Sequence, residues 1–267
     1  MSLLKTMFGS EFNLSDVILS AMARLGYDFN GFPDRLYIDK IRTRPAECTI
    51  PKNPVLDTIT SNGEQAILFL PDSVRRRPKI LGPLLRRFPN HLVYGTRRDI
   101  VSGNPAESYE RVKEICDSSL RYFQEKGINP HNLTVLGICA GNSPATILAS
   151  KVGARNLYSV LSAGSISEGI FSSEATKNEV AEMLRTGVSQ EDYHRLIRDF
   201  DPMEHINGSI NHIVGVFGGT DLMVKRKAWE PLAQRIRESG GEIITYPNLG
   251  HCTSMYRFAR DLGRGYL

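Results

Sequence analysis

The sequence predicts an α/β fold with a mostly parallel central sheet and helices on both faces. From residue 65 onward, short apolar runs alternate with amphipathic segments, as expected for successive right-handed βαβ crossovers. The strand-like run at 65–70, QAILFL, is apolar after its first residue, which is typical of a strand covered on both faces. A length of 267 residues and an ordinary composition, 41% hydrophobic and 23% charged, fit one large globular domain.

The predicted elements follow from periodicity and from Gly, Pro and Asn at their ends. The predicted strands cover residues 36–41, 46–50, 65–70, 91–95, 133–138, 157–162, 212–217 and 242–246. The predicted helices cover residues 15–25, 80–88, a long segment from 104 that Gly127 ends, a segment from about 143, and residues 227–239 and 253–262.

The first helix gives the N-terminal region an apolar face of its own. Helical spacing places Val17, Ile18, Ala21, Met22 and Leu25 on one side. We therefore assign residues 1–34 to an N-terminal helical extension and residues 35–267 to the main domain. The apolar face packs either on that domain or on a second subunit, so a homodimer is one of two alternatives.

One segment interrupts the alternation of strands and helices. Residues 168–204 contain no strand pattern, and Ser189 and Asp192 have the spacing of a capping box. A helical insert between two strands of an open sheet is expected to lie over the strand ends, where ligand crevices form. We therefore predict a small helical cap at about 168–204; two helices that only decorate the rim are the alternative.

The most informative motif is Gly137-Ile-Cys139-Ala-Gly141, which joins a predicted strand to a predicted helix. It has the pattern of a nucleophile elbow, G-x-S-x-G, with Cys in place of Ser. The nucleophile occupies a sharp, strained turn, so the residues two before and two after it must be very small. The following helix N-terminus favours a thiolate and an oxyanion. On the motif alone, a buried structural cysteine is an equal alternative.

Two later strands end in residues that could serve such a nucleophile. Asp221 follows the strand at 212–217, and His251 follows the strand at 242–246. The order nucleophile, acid, histidine, each at the carboxyl end of a strand, is the order of α/β-hydrolases. We therefore predict a triad of Cys139, His251 and Asp221. Asp201 is the alternative acid, although its position before a proline and a predicted helix favours a capping role.

Three segments of the chain strongly resemble the second half of an α/β-hydrolase. The resemblance is carried by DPMEHI, VGVFGGTDLMV and YPNLGHC and extends from about residue 65 to the C-terminus. Family members with Cys in the elbow include dienelactone hydrolases and the larger polyhydroxyalkanoate synthases, and VLGICAG is similar to both. The resemblance implies hydrolysis or transfer of an acyl group from an ester, lactone or thioester through an acyl-cysteine.

One position departs from the family pattern. Family members have His-Gly after the third strand, where a backbone N–H completes the oxyanion hole, whereas this chain has LPDS. Pro71 has no N–H to donate. The predicted oxyanion donors are therefore Ala140 and either Asp72 or Ser73. Asn142, one residue after the motif, is predicted to bind substrate.

Composition limits the classes of partner. A net charge of +4, from 33 basic and 29 acidic residues, is too small to indicate nucleic-acid binding. No apolar run is long enough for a membrane-spanning helix, and the N-terminus lacks the core of a secretory signal, so we expect a cytoplasmic protein. Four cysteines without a C-x-x-C pair predict neither a disulfide framework nor a zinc site. We predict no metal and no cofactor.

The remaining pattern is a concentration of arginine at 75–77, 86–87 and 97–98. A solvated rim is the simpler interpretation. The alternative is a site for the phosphates of coenzyme A or for an acidic carrier protein. The predicted partner is thus a small acyl substrate, with a coenzyme A or carrier-protein thioester as a variant. A non-catalytic ligand-binding protein of the same fold is the alternative function.

Overall fold

The computed structural model describes residues 14–26, 34–35, 54–60, 63–71, 74, 78–96 and 104–267. Their centre is a sheet whose strands are β1 (Leu56–Asp57), β2 (Gln65–Pro71), β3 (His91–Thr96), β4 (Leu133–Ile138), β5 (Asn156–Val160), β6 (His212–Gly218) and β7 (Glu242–Tyr246). The helices around it are α1 (Leu14–Leu25), α2 (Pro78–Arg87), α3 (Pro105–Glu125), α4 (Asn142–Val152), α5 (Ile166–Ser172), α6 (Lys177–Arg185), α7 (Gln190–Ile197), α8 (Arg226–Glu238) and α9 (His251–Gly263).

The topology of the sheet changes its direction of winding beside β4. The strand order is β1-β3-β2-β4-β5-β6-β7; β1 is antiparallel to β3, and all other pairs are parallel. The chain moves from β2 outward to β3 and then returns to the other side of β2 to form β4. The direction of winding therefore reverses between β2 and β4. In open α/β sheets, ligands bind outside the carboxyl ends of the strands at such a reversal.

Each face of the sheet carries its own apolar layer. The side chains of Ile67 and Phe69 join the layer formed with α3, α4 and α8. Those of Ala66, Leu68 and Leu70 join the layer formed with α1, α2 and α9. This alternation follows from the two-residue period of a strand and explains why β2 is apolar throughout. The predicted fold class, with helices on both faces, is therefore confirmed.

Most element bounds agree with the prediction to within one or two residues. β4 and β7 have the predicted bounds, Asn104 caps α3 by accepting from the backbone N–H of Ala106, and the capping box of Ser189 and Asp192 opens α7. The predicted strands at 36–41 and 46–50 lie outside the described residues. The sequence pattern missed β1, because a strand of two residues leaves no measurable period.

The buried face of α1 differs from the predicted one. Leu19, Met22 and Ala23 are buried, whereas Ala21 and Leu25 are exposed. The prediction for Ala21 and Leu25 was wrong because α1 packs against α9, and the position of α9 selects a neighbouring stripe. The side chains of residues 14–18 lie outside those described.

The segment between β5 and β6 is helical, as its sequence predicted. It contains α5, α6 and α7 and several short 3-10 turns. α7 packs against α3, and α5 packs against α8. Its position as a cap over a ligand crevice stays a prediction.

Candidate active site

The turn after β4 holds Cys139 in an unusual backbone conformation. Cys139 opens a short 3-10 helix, Cys139–Gly141, that leads directly into α4, and its φ is 52°. This left-handed region is unfavourable for residues other than glycine, so the surrounding structure must impose it. The chain reverses sharply here, at the carboxyl end of β4, where the direction of winding changes between β2 and β4. The side chain of Cys139 is only partly buried.

The two glycines of the motif permit this turn. A Cβ on Gly137 would lie 2.7 Å from the Ala145 Cβ and 2.7 Å from the Asn142 Cα. A Cβ on Gly141 would lie 2.2 Å from the backbone oxygen of Phe69 in β2. Real Cβ atoms do not approach backbone this closely. The spacing of small residues that the sequence displays is therefore a steric requirement of the turn.

Gly141→Ala is expected to destabilise the protein. Gly141 has a φ of −77°, so the substitution introduces a clash with β2 and no backbone strain. Overpacking of this kind costs roughly 1–3 kcal/mol of unfolding free energy. Gly208→Ala is the matched control, because a Cβ there meets nothing within 4 Å. Urea unfolding followed by circular dichroism measures both variants; equal midpoints would contradict the steric argument.

His251 and Asp221 lie against each other in the interior. His251 is the first residue of α9 and is almost completely buried. Its Nδ1 lies 2.7 Å from Asp221 Oδ2. The other oxygen, Asp221 Oδ1, accepts from the backbone N–H groups of Met223 (2.7 Å) and Val224 (2.8 Å). The carboxylate is thus oriented by its own loop, and it orients the imidazole in turn.

The charge state of His251 follows from its surroundings. Burial alone lowers the pKa of His251, but the negative charges of Asp221 and of a Cys139 thiolate, together with hydrogen bonds to both side chains, raise it well above its ordinary value of 6.5. The structure thus joins His251 to Asp221 by a hydrogen bond, and the same imidazole interacts electrostatically with Cys139. These surroundings favour a charged imidazole at His251.

Backbone contacts hold the loops that carry the acid and the histidine side by side. The N–H of Gly219 donates to Tyr246 O (2.9 Å), and the N–H of Thr220 donates to Leu249 O (3.2 Å). A Cβ on Gly219 would lie 2.2 Å from Pro247 O, so only glycine allows this approach. The Gly-Gly pair before Asp221 therefore serves to bring the two loops together.

Solved structures of similar shape decide the fold. A Pyrococcus horikoshii acylaminoacyl peptidase matches 90% of this chain with a TM-score of 0.55 and 10% identity. A truncated carbohydrate esterase from gut microbiota matches 83% with a TM-score of 0.53 and 12% identity. A Mycobacterium tuberculosis puromycin-hydrolyzing peptidase matches 80% with a TM-score of 0.51 and 12% identity. The fold is that of the α/β-hydrolases.

The same matches differ in how much of the other protein they include. The chain spans 43% of the length of the Pyrococcus peptidase and 35% of the mycobacterial peptidase, but it spans 97% of the carbohydrate esterase. At identities of 10–12%, these similarities establish the fold and nothing finer. No protein-family model and no curated protein matches the sequence.

The predicted oxyanion donors are described only in part. Ala140 follows Cys139 in the 3-10 helix, where an α/β-hydrolase places the first oxyanion N–H. Asp72 and Ser73 lie outside the described residues, so the second donor stays a prediction.

Asn142 connects the elbow to the neighbouring strand. Its side chain is buried, and its Nδ2 donates to Val160 O at the end of β5 (2.8 Å) and to Cys139 O (3.4 Å). Among the described residues its Oδ1 has no hydrogen-bond partner. The amide N–H groups thus stabilise the turn; the predicted contact with substrate stays a prediction.

The alternative acid, Asp201, has a different partner. Asp201 Oδ1 accepts from the backbone N–H of Ile166 (2.7 Å), and Oδ2 lies 3.4 Å from His194 Nδ1. Burial raises the pKa of Asp201 to about 6. Its carboxylate therefore ties α5 to α7, whereas Asp221 is the acid that contacts His251. The sequence pattern did not reveal the pairing with His194.

The remaining predicted features fall partly outside the described region. Cys116 is buried on α3, where burial raises the pKa of its thiol to about 12, and Cys252 is buried on α9. Cys48 and the arginines at 75–77 and 97–98 are not among the described residues. In the pair at 86–87, the guanidinium of Arg87 lies 3.3 Å from the carboxylate of Glu64 at the surface. Within the described ranges, no helix is long and apolar enough to cross a membrane, and no cluster of three or more His, Cys, Asp or Glu side chains could hold a metal.

Proposed function

We propose that this protein is an enzyme that removes an acyl group from an ester, lactone or thioester through an acyl-cysteine at Cys139. The observation that carries the proposal is the hydrogen bond between His251 and Asp221, with Cys139 on a strained turn where it interacts with the same imidazole. This arrangement lies at the carboxyl ends of β4, β6 and β7, where α/β-hydrolase sites form.

In the first half of the reaction, the Cys139 thiolate attacks the acyl carbon and forms a C–S bond. The carbonyl electrons move to oxygen, and the backbone N–H of Ala140 donates to the resulting oxyanion. When the intermediate collapses, the bond from carbon to the leaving group breaks. His251 gives its proton to the departing oxygen or sulfur, which leaves a thioester on Cys139 and a neutral imidazole.

In the second half, the neutral imidazole of His251 takes a proton from water as the water oxygen attacks the thioester carbon. Collapse of this second intermediate breaks the C–S bond, releases the acid and returns Cys139 to the thiolate. The proton stays on His251, so the charged pair is restored. Nδ1 of His251 is engaged by Asp221, which makes Nε2 the nitrogen that exchanges protons in both halves.

Hydrolysis is the branch that the comparisons support. The structural neighbours are named as peptidases and as a carbohydrate esterase, and each of these names denotes transfer of an acyl group to water. A thioester on Cys139 is also a competent donor to another acceptor, so a coenzyme A or carrier-protein thioester belongs among the substrates to be tested.

Trapping the acyl-enzyme tests the proposal. The protein is mixed with panels of p-nitrophenyl esters, small lactones and acyl–coenzyme A thioesters, quenched in acid, digested and analysed by mass spectrometry. We expect at least one panel member to add an acyl mass to the peptide that contains Cys139 and to be turned over. An acyl mass on another residue, or turnover of no member of any panel, would count against the proposal.

A further inference from the structure

Helix α9, which begins with the proposed catalytic histidine, has no side-chain cap from its own N-cap residue. Its N-cap residue is Gly250, which has no side chain to accept a hydrogen bond, and its first turn contains no acidic residue. The first N–H groups of a helix lack intrahelical partners and need acceptors from elsewhere. Because His251 occupies this first turn, whatever supplies those acceptors also sets the position of the imidazole.

A carboxylate distant in sequence supplies acceptors for the first two of them. Asp34 is completely buried, and its Oδ2 accepts from the backbone N–H of His251 (2.8 Å) while its Oδ1 accepts from that of Cys252 (2.9 Å). The separation along the chain is 217 residues for the first contact. Asp34 therefore caps α9 from the N-terminal part of the chain.

The same carboxylate also binds the loop that carries the proposed acid. Asp34 Oδ2 accepts from the backbone N–H of Leu222 (3.2 Å). The next two N–H groups of that loop, those of Met223 and Val224, donate to Asp221 itself. Asp34 thus accepts from the N–H group that directly precedes the two bound by Asp221. Oδ2 of Asp34 bridges the residue after the acid and the histidine.

Two groups of the proposed triad also act on the charge of Asp34. Burial and the negative charge of Asp221 raise the pKa of Asp34 to about 6, while the charge of His251 and the N–H groups of Cys252 and His251 oppose that rise. Asp34 is therefore ionised at neutral pH. A second negative charge near His251 favours its protonated form.

We propose that Asp34 is a positioning residue for the Cys139–His251–Asp221 site. It holds the backbone of the histidine helix and of the acid loop together, so that Nδ1 of His251 stays within hydrogen-bond distance of Asp221, and its charge stabilises the imidazolium. The expected effect of Asp34 on turnover rests on the proposed function. Its expected effect on the position and charge of His251 does not depend on that function.

Asp34→Asn is the direct test, and Asp201→Asn is its matched control. Both residues are buried carboxylates that accept backbone N–H groups and have a pKa raised to about 6, but Asp201 contacts His194 instead of His251. We expect Asp34→Asn to lower kcat/KM roughly 10- to 100-fold, because small misplacements of reacting groups cost this much. NMR titration of the imidazole should show a lower pKa for His251 in Asp34→Asn and no change in Asp201→Asn.

The two readouts separate failure of this inference from failure of the proposed function. If the wild-type protein turned over no substrate while Asp34→Asn still lowered the pKa of His251, the proposed function would fail and the positioning role would stand. If Asp34→Asn folded with the wild-type pKa of His251 and wild-type kcat/KM, the positioning role would be wrong.

A measurement on the wild-type protein covers the case in which Asp34→Asn does not fold. Hydrogen exchange at the amides of Leu222, His251 and Cys252 should be slow at pH 8 and should become faster together as the pH falls below about 6, after correction for the intrinsic rate. The amide of Gly219 provides the internal comparison, because its acceptor is the backbone oxygen of Tyr246, which does not titrate. Exchange of the first three amides at independent rates, with no common transition, would contradict a shared acceptor.

Discussion

Cys139→Ala is expected to abolish turnover of every substrate that the wild-type protein accepts. Removal of the nucleophile from a triad leaves only the catalysis supplied by the oxyanion donors and by binding, and the loss is on the order of 10⁴- to 10⁶-fold in kcat. Alanine is small, and the left-handed backbone conformation at this position is as accessible to it as to cysteine, so the fold should persist. Steady-state assays with the best substrate from the ester, lactone and thioester panels measure the effect, together with a thermal unfolding curve.

A second cysteine serves as the control for this substitution. Cys116 is buried on α3, and its thiol has a pKa raised to about 12 by burial, so Cys116→Ala should leave kcat unchanged. Iodoacetamide should label Cys139 far faster than Cys116 near neutral pH. Full turnover by Cys139→Ala would refute the mechanism, and equal labelling of the two thiols would favour a ligand-binding protein of the same fold.

The parts of the site that the sequence predicted are those with a local steric or topological cause. Steric contacts require Gly137 two residues before Cys139 and Gly141 two residues after it, so the elbow can be recognised in the sequence as a pattern of five residues. Asp221 and His251 each follow an apolar strand, and parallel strands place their carboxyl ends along one edge. β4 has its predicted bounds because it is buried on both faces and its apolar run stops at the turn.

The parts that the sequence did not predict depend on contacts between distant segments. Asp34 has no apolar period or motif around it, and only the folded chain places it against His251. The sequence is compatible with Asp201 as an acid or as a cap, and its pairing with His194 depends on how α7 packs. The buried stripe of α1 was misplaced for the same reason, because several stripes of that helix are apolar and α9 selects one of them.

The substitution with the second large expected effect also tests whether Asp221 or Asp201 is the acid that serves His251. Asp221→Asn is expected to lower kcat by roughly 10³- to 10⁴-fold, because an amide that replaces the carboxylate can donate to Nδ1 and hold the imidazole in the wrong tautomer. Nε2 would then carry a hydrogen and could not accept the proton of the attacking water. The pKa of His251 should fall as well, since the charge of Asp221 is the largest of the effects that oppose burial.

Asp201→Asn is the control for Asp221→Asn. Both substitutions remove a buried charge and keep the shape of the side chain, so both should affect the free energy of unfolding, and only Asp221→Asn should also change kcat and the titration of His251. A large loss of kcat in Asp201→Asn with a small one in Asp221→Asn would reverse the assignment and make Asp201 the acid. Because Asp201 contacts His194 and ties α5 to α7, that outcome would require the helical segment between β5 and β6 to rearrange during turnover. Among the described residues, one carboxylate lies at hydrogen-bond distance from the ring of His251, and it is that of Asp221.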